Sequence, residues 1–124
     1  MTTPVSMTSD DPNLPFDVHD YTVRRDTHGN DLTAVKSASN HFLVLDSQPL
    51  IYCEDNGSRL WRLAKIPEEA MIACVDLIKG LLESQDRSEI LEINNQPAAE
   101  CKLAQIFLRN GFEQKGKKLV WIAG

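Results

Sequence analysis

A chain of 124 residues is the size of one ordinary domain, and 42% apolar residues suffice for one modest core. No apolar run reaches the roughly 18 residues of a membrane-spanning helix, and the start Met-Thr-Thr-Pro-Val-Ser-Met lacks the basic and apolar regions of a secretory signal, so a cytoplasmic protein is expected. The formal charge of −5 argues against an autonomous nucleic-acid binder, whose affinity usually depends on neutralising phosphates with an excess of Lys and Arg.

The charge is uneven: net −3 over residues 1–36 and −2 over residues 37–124, which leaves room for a local basic edge. Residues 1–36 hold Pro4, Pro12 and Pro15 among many Asp, Thr and Ser residues, with little hydrophobic periodicity. They are expected to be largely disordered or loosely packed. Disorder is expected over 1–13, and local packing over 14–36 through Leu14, Phe16, Val18, Tyr21 and Val23. The domain proper is expected over 37–124.

Within it, His41-Phe42-Leu43-Val44-Leu45-Asp46 reads as a strand, β-prone and almost continuously apolar. Ser47-Gln48-Pro49 turns the chain and Leu50-Ile51-Tyr52-Cys53-Glu54 forms the second strand. Asn56-Gly57 is a strong hairpin signal, because both residues accept positive φ. Ser58-Arg59-Leu60-Trp61-Arg62-Leu63 returns, completing a three-stranded antiparallel meander. Pro67-Glu68-Glu69 then opens a helix, since a first-turn proline loses no needed N–H and the two acids suit the positive end of the helix dipole. Ala70, Met71, Cys74, Val75, Ile78, Leu81 and Leu82 form its apolar stripe, and it ends near Ser84.

Ile90-Leu91-Glu92-Ile93 is a short strand and Asn94-Asn95-Gln96-Pro97 a turn. A second helix is expected from about Ala98 to Asn110, capped by Gly111. Phe112-Glu113-Gln114 and Leu119-Val120-Trp121-Ile122 close a hairpin around Lys115-Gly116-Lys117. The order β-β-β-α-β-α-β-β lacks regular βαβ alternation. An α+β domain is therefore expected, with one small mixed or antiparallel sheet packed by two helices.

The chemistry is sparse. No phosphate-cradling Gly-x-x-x-x-Gly-Lys-Ser/Thr or Gly-x-Gly-x-x-Gly loop, nucleophile elbow or His-Glu-x-x-His occurs, so no catalytic role and no cofactor are expected. Cys53, Cys74 and Cys101 are widely spaced with no Cys-x-x-Cys, which points to free buried thiols rather than disulfides or zinc. His19, His28 and His41 are scattered, and no metal is expected. The acidic pairs Glu54-Asp55 and Glu68-Glu69 are explained by a turn and a helix start.

Two basic features stand out. In Arg59-Leu60-Trp61-Arg62, a tryptophan beside arginines can stack a base while the cations meet phosphate. The same residues also read as a core Trp with solvated arginine stems. Lys115-Gly116-Lys117-Lys118 places three cations at a hairpin tip, where they either contact a nucleic-acid backbone or keep the turn soluble.

From Phe42 to Ile122 the chain resembles the C-terminal region of the large helicase-related (Lhr) proteins, superfamily 2 DEAD/H-box helicases. The resemblance runs through Leu43-Val44-Leu45-Asp46-Ser47-Gln48-Pro49-Leu50-Ile51-Tyr52-Cys53-Glu54 and Asn56-Gly57-Ser58-Arg59-Leu60. It continues through Glu92-Ile93-Asn94-Asn95-Gln96-Pro97, Leu103-Ala104, Phe107, Gly111-Phe112 and Leu119-Val120. Ser47 and Asn95 stand where that family favours glycine, and Cys101-Lys102 replaces its usual Ser-Pro.

The resemblance implies an accessory module of an ATP-dependent helicase, whose ATPase residues lie outside this stretch. The module would contact single-stranded DNA or RNA, or dock on the helicase motor domains in cis or in trans. Arg59, Trp61, Arg62, Lys115, Lys117 and Lys118 are the candidate contacts, with Trp61 stacking and the cations holding phosphate. The rival expectation is a small stand-alone protein-interaction module with an exposed apolar patch around Leu108, Phe112 and Trp121.

Overall fold

The computed structural model describes residues 3–25 and 27–122. In chain order they form β1 (Val5–Thr8), β2 (Thr22–Arg25), β3 (Asp31–Thr33), β4 (His41–Leu45), β5 (Gln48–Glu54) and β6 (Arg59–Arg62). Helix α1 (Glu68–Glu83) follows, then β7 (Glu89–Ile90), β8 (Glu92–Ile93) and β9 (Gln96–Pro97), the short helix α2 (Ala104–Leu108), and β10 (Phe112–Lys115) with β11 (Lys118–Trp121). The chain is α+β. None of its described helices is long and apolar enough to cross a membrane.

The meander β4–β5–β6 is antiparallel as expected, but it lies inside a larger sheet of order β1-β4-β5-β6-β8-β9. Its turns follow from residues that tolerate left-handed backbone. Asp46 and Ser47, at φ 50° and 67°, make the β4–β5 turn one step earlier than Ser47-Gln48-Pro49 suggests. Pro49 therefore lies within β5, opposite Val44 beside a bulge at Leu50, a position where a proline's missing N–H is tolerated. Gly57, at φ 99°, brings the β5–β6 turn against the last turn of α1. A Cβ there would lie 3.5 Å from Leu82 Cδ2.

Successive strand residues point to opposite faces. Leu43, Ile51, Cys53 and Leu60 face α1, which buries Met71, Cys74, Val75, Ile78 and Leu82 against them. Phe42, Val44, Tyr52 and Trp61 face the other way and form a second core with Val18, Val23 and Ala34, flanked by Met7, Leu14, Phe16 and Tyr21. Strands that are apolar at nearly every position need cover on both faces. The second cover is the segment expected to be loose. Strand β1 pairs with β4 from Val5↔Val44 to Thr8↔His41, and β2 with β3 forms a small separate sheet. The buried Ser9 hydroxyl donates to Val35 O at 2.7 Å and accepts from Ser37 N–H at 2.8 Å, tying the two ends of the wrap together. The expected disorder over 1–13 and the loose tail over 14–36 are thus corrected for the described residues.

The C-terminal half departs from expectation in two places. The strand Ile90–Ile93 divides at Leu91: β7 joins β11 and β10 in a three-stranded sheet, whereas β8 runs parallel to β6. The helix expected over 98–110 shrinks to Ala104–Leu108 behind a 3₁₀ turn at Ala98–Glu100. The cause is tertiary. Ala99 N–H donates to Lys117 O of the terminal hairpin at 3.0 Å, and Cys101 is extended at ψ 143°, so the helical ladder cannot run through.

If the second core is part of the fold, Phe42→Ala removes its central ring and lowers unfolding free energy by about 3–5 kcal/mol in urea titration. A fragment of residues 37–124 should lose its near-ultraviolet dichroism and bind a hydrophobic dye. A fragment as stable as the whole chain would contradict this.

Candidate nucleic-acid interface

The aromatic side chains of the second core form a row across adjacent strands, because the register aligns Phe42 with Tyr52 and Tyr52 with Trp61. Ring centroids step by 4.9 Å from Phe16 to Phe42, 5.1 Å to Tyr52 and 5.5 Å to Trp61. Trp61 ends the row inside the protein, with 4% of its surface exposed. Its Nε1–H donates to Asn95 Oδ1 at 2.9 Å, and Asn95 Nδ2 donates to Val23 O at 2.6 Å. The Arg24 guanidinium lies 5.2 Å from the indole centroid. With Tyr52, Arg24 and Val23 around it, Trp61 offers no face to a nucleobase. Its expected stacking role is corrected: the tryptophan is core.

Arg59 is also engaged. Glu54 holds Arg24 at 2.6 Å and Arg59 at 3.4 Å, and Glu92 approaches Arg59 at 3.8 Å. This chain of alternating charge closes the edge of the second core. The Tyr52 hydroxyl, which accepts from Val35 N–H at 3.1 Å, donates to Glu54 Oε2 at 3.3 Å. Burial, reinforced by the Glu54 charge, pushes this phenol up to about 12. Arg62 is exposed, and its backbone N–H donates to Asn94 Oδ1 at 2.9 Å. Asn94 and Asn95, at φ 53° and 65°, thus use one left-handed turn to hold β6 and the wrap together.

Lys115 and Lys117 are exposed on the β10–β11 hairpin, and neither has an ion-pair partner among the described residues. Lys118 is paired with Glu89 at 2.7 Å. The six candidates therefore do not form one site. Arg59, Trp61 and Arg62 belong to the six-stranded sheet, and the three lysines to the hairpin of the three-stranded sheet. The residues that sequence reasoning missed are Arg24, Glu54, Asn94 and Asn95. Asn94-Asn95 was legible as a turn, but nothing local signalled that their amides reach β6 and β2.

Two open clefts border this region. One of about 540 Å3 is lined by Thr22, Val23, Arg24, Glu92 and Asn95. Another of about 400 Å3 is lined by Asp55, Ser58, Asp86, Arg87, Ser88, Glu89 and Leu91. In the second, Arg87 pairs with Asp55 at 2.8 Å. That guanidinium, helped by the Ser58 hydroxyl, holds the Asp55 carboxyl below the usual carboxylate range against partial burial. Ser58 donates to Asp55 and has no histidine or lysine beside it in the lining to act as a base. Among the described residues no group of three or more His, Cys, Asp and Glu is placed to hold a metal ion.

The expected apolar patch is not formed. Phe112 is buried edge-on against Phe107 with centroids 5.2 Å apart, Leu108 packs against the main core, and Trp121 lies beneath Lys79 Nζ at 5.7 Å. Cys53, Cys74 and Cys101 are free and buried, as expected. Burial pushes the Cys74 thiol up to about 11 and the Cys53 thiol further, with Cys74 adding to the latter.

These raised values set the alkaline limit of the fold. Unfolded thiols ionise near pH 8.5 and phenols near pH 10, so above about pH 8.5 the unfolded chain releases protons that the folded chain keeps. Stability should be complete below that pH and fall as pH rises toward 11. The fall should be shallower in Cys74→Ala, read from urea midpoints. The native thiols should resist a disulfide reagent until the chain unfolds. Rapid native labelling, or equal pH slopes in the two proteins, would contradict the assignment.

No family model matches the chain, nor does any curated protein or solved structure.

Proposed function

We propose that the chain is a non-catalytic accessory module of the cytoplasm, resembling the C-terminal module of an Lhr-like helicase. It docks on the motor domains and touches nucleic acid only through phosphate. The observation that carries this reading is the interior position of Trp61. With the aromatic row inside, single strands find no stacking platform, which normally supplies much of sequence-tolerant affinity. Of the six candidate contacts, those exposed without an ion-pair partner among the described residues are Arg62, Lys115 and Lys117. Three phosphate contacts on a molecule of charge −5 position a strand and do not hold it. Retention then falls to protein contacts.

Docking is also supported by the edge of β1, beyond which no strand lies among the described residues. There Val5 is half-exposed beside a mainly apolar groove lined by Pro4, Leu45, Pro67, Ala70 and Ala73, with Thr3 and Glu69 also in its wall. An extended segment can add to such an edge through backbone hydrogen bonds while seating small side chains in the groove.

Fluorescence anisotropy with a labelled single-stranded oligonucleotide should show weak binding. Its logarithm should fall with log salt at a slope of about −2, from about 0.7 per neutralised phosphate. Lys117→Glu should lower that slope, and Trp61→Phe should leave it unchanged. Calorimetry with purified Lhr-type motor domains should give a complex that forms without nucleic acid. Absence of that complex at about 100 μM, or loss of oligonucleotide binding in a folded Trp61→Phe protein, would overturn the reading.

A further inference from the structure

The three-stranded sheet has an open margin. Its order is β10-β11-β7, and among the described residues no strand lies on the outer side of β10. The hairpin loop is the two residues Gly116 and Lys117 between the facing pair Lys115↔Lys118. Gly116, at φ 65°, takes the first loop position, as a type II′ turn requires. In a two-residue hairpin the closing pair exchanges its backbone hydrogen bonds inward, and the pairs then alternate. Lys115 and Glu113 therefore bond toward β11, and Gln114 and Phe112 direct their N–H and C=O groups to the open edge.

Glu113 and Lys115, two apart, project from the same face, opposite Val120 and Lys118. Both are exposed, and neither has a hydrogen-bond or ion-pair partner among the described residues, whereas Lys118 on that face is paired with Glu89.

We infer that β10 is a self-recognition edge. It pairs antiparallel with β10 of a second copy across a two-fold axis at Gln114, joining two three-stranded sheets into one of six strands.

Charge selects this register. With the axis at Gln114, Glu113 faces Lys115 of the second copy and Lys115 faces its Glu113, both in the non-hydrogen-bonded positions where side chains are closest. With the axis moved to residue 113, glutamate faces glutamate. With the axis moved to residue 115, lysine faces lysine. Charged edge residues usually protect a strand from joining others. Here the same two charges reject the neighbouring registers and strangers while leaving one self-complementary arrangement. An isologous contact of this kind closes at two copies and does not propagate. The open edge of β1 reads Val-Ser-Met-Thr and has no charge with which to choose a register. The β10 contact is small, so the dimer is weak and forms at high protein concentration. It needs neither a motor domain nor nucleic acid, so it stands or falls apart from the function proposed above.

Sedimentation equilibrium of the full chain alone tests the inference. The protein should show a reversible monomer–dimer equilibrium. Glu113→Lys and Lys115→Glu, each of which places like charges face to face, should each raise the dissociation constant by about tenfold or more. The double exchange should restore the original value. General repulsion gives a different pattern, because the first substitution changes the net charge from −5 to −3 and the second to −7. Repulsion alone would strengthen the first dimer and weaken the second. Gln114→Cys should cross-link to dimer under oxidation, since facing residues in such a pair lie within disulfide reach. A chain that stays monomeric to millimolar concentration, a dimer that follows net charge, or a double exchange that fails to restore pairing would overturn the inference.

Discussion

The organisation of this protein follows from strands that are apolar on both sides. In β4 and β5 the sequence Phe42-Leu43-Val44-Leu45 and the run Leu50-Ile51-Tyr52-Cys53 leave no face for water. Helix α1 can cover only one of them. At about 25 cal/mol per Å2, aromatic rings of about 150–250 Å2 left wet would each forfeit several kcal/mol, a large share of the net stability of a small domain. The opposite face must be covered too, and the only long stretch without its own amphipathic periodicity supplies that cover. The described residues of 3–36 act as a second layer although most of them lie outside regular strands. They present Val18, Val23 and Ala34 inward, and turns and side chains take up backbone groups such as Ser9 N–H, Ala34 N–H and Ser37 N–H.

That second layer decides what the edge of the sheet can do. Trp61 completes an aromatic row whose far end is Phe16, and the wrap brings Arg24 over its indole. Glu54 binds Arg24 and Arg59 together, and Glu92 takes the other side of Arg59. The arginine–tryptophan pair that looks like a strand-binding surface is therefore a closure between two parts of one chain. Of the six candidate contacts, Arg62 at the end of β6 and Lys115 and Lys117 at the terminal hairpin are exposed without an ion-pair partner among the described residues. On the function proposed above, such a surface would serve docking and light phosphate contact rather than a grip on single strands.

The parts legible in the sequence are those whose signals are local. Asn56-Gly57, the stripe from Met71 to Leu82 and the closing hairpin each carry their own turn or period, and each stands in the structure near its expected limits. The alternation of Arg59-Leu60-Trp61-Arg62 gives two faces but not which face is covered, and that second fact decided the site. The continuous apolarity of β4 did contain the missing information. It implied a cover on each side, but the helix expected over 98–110 stood in for the second cover, and in the structure it is only Ala104–Leu108. Leu91, where one apparent strand divides between two sheets, and Ala99, whose N–H leaves the helix for Lys117 O, answer to partners many residues away and had no local signature.

Native-state hydrogen exchange addresses the two-sided sheet most directly. The amides of Ser9 and Ala34, bonded to Asn40 O and Tyr21 O at 2.8 Å each, report on the wrap, and those of Tyr52 and Trp61 report on the central strands. If the wrap is a true second layer, all four should exchange only through global unfolding and give the same opening free energy. Exchange of Ser9 and Ala34 orders of magnitude faster than Tyr52 and Trp61 would show a sheet that holds together with one face uncovered, and would contradict the account.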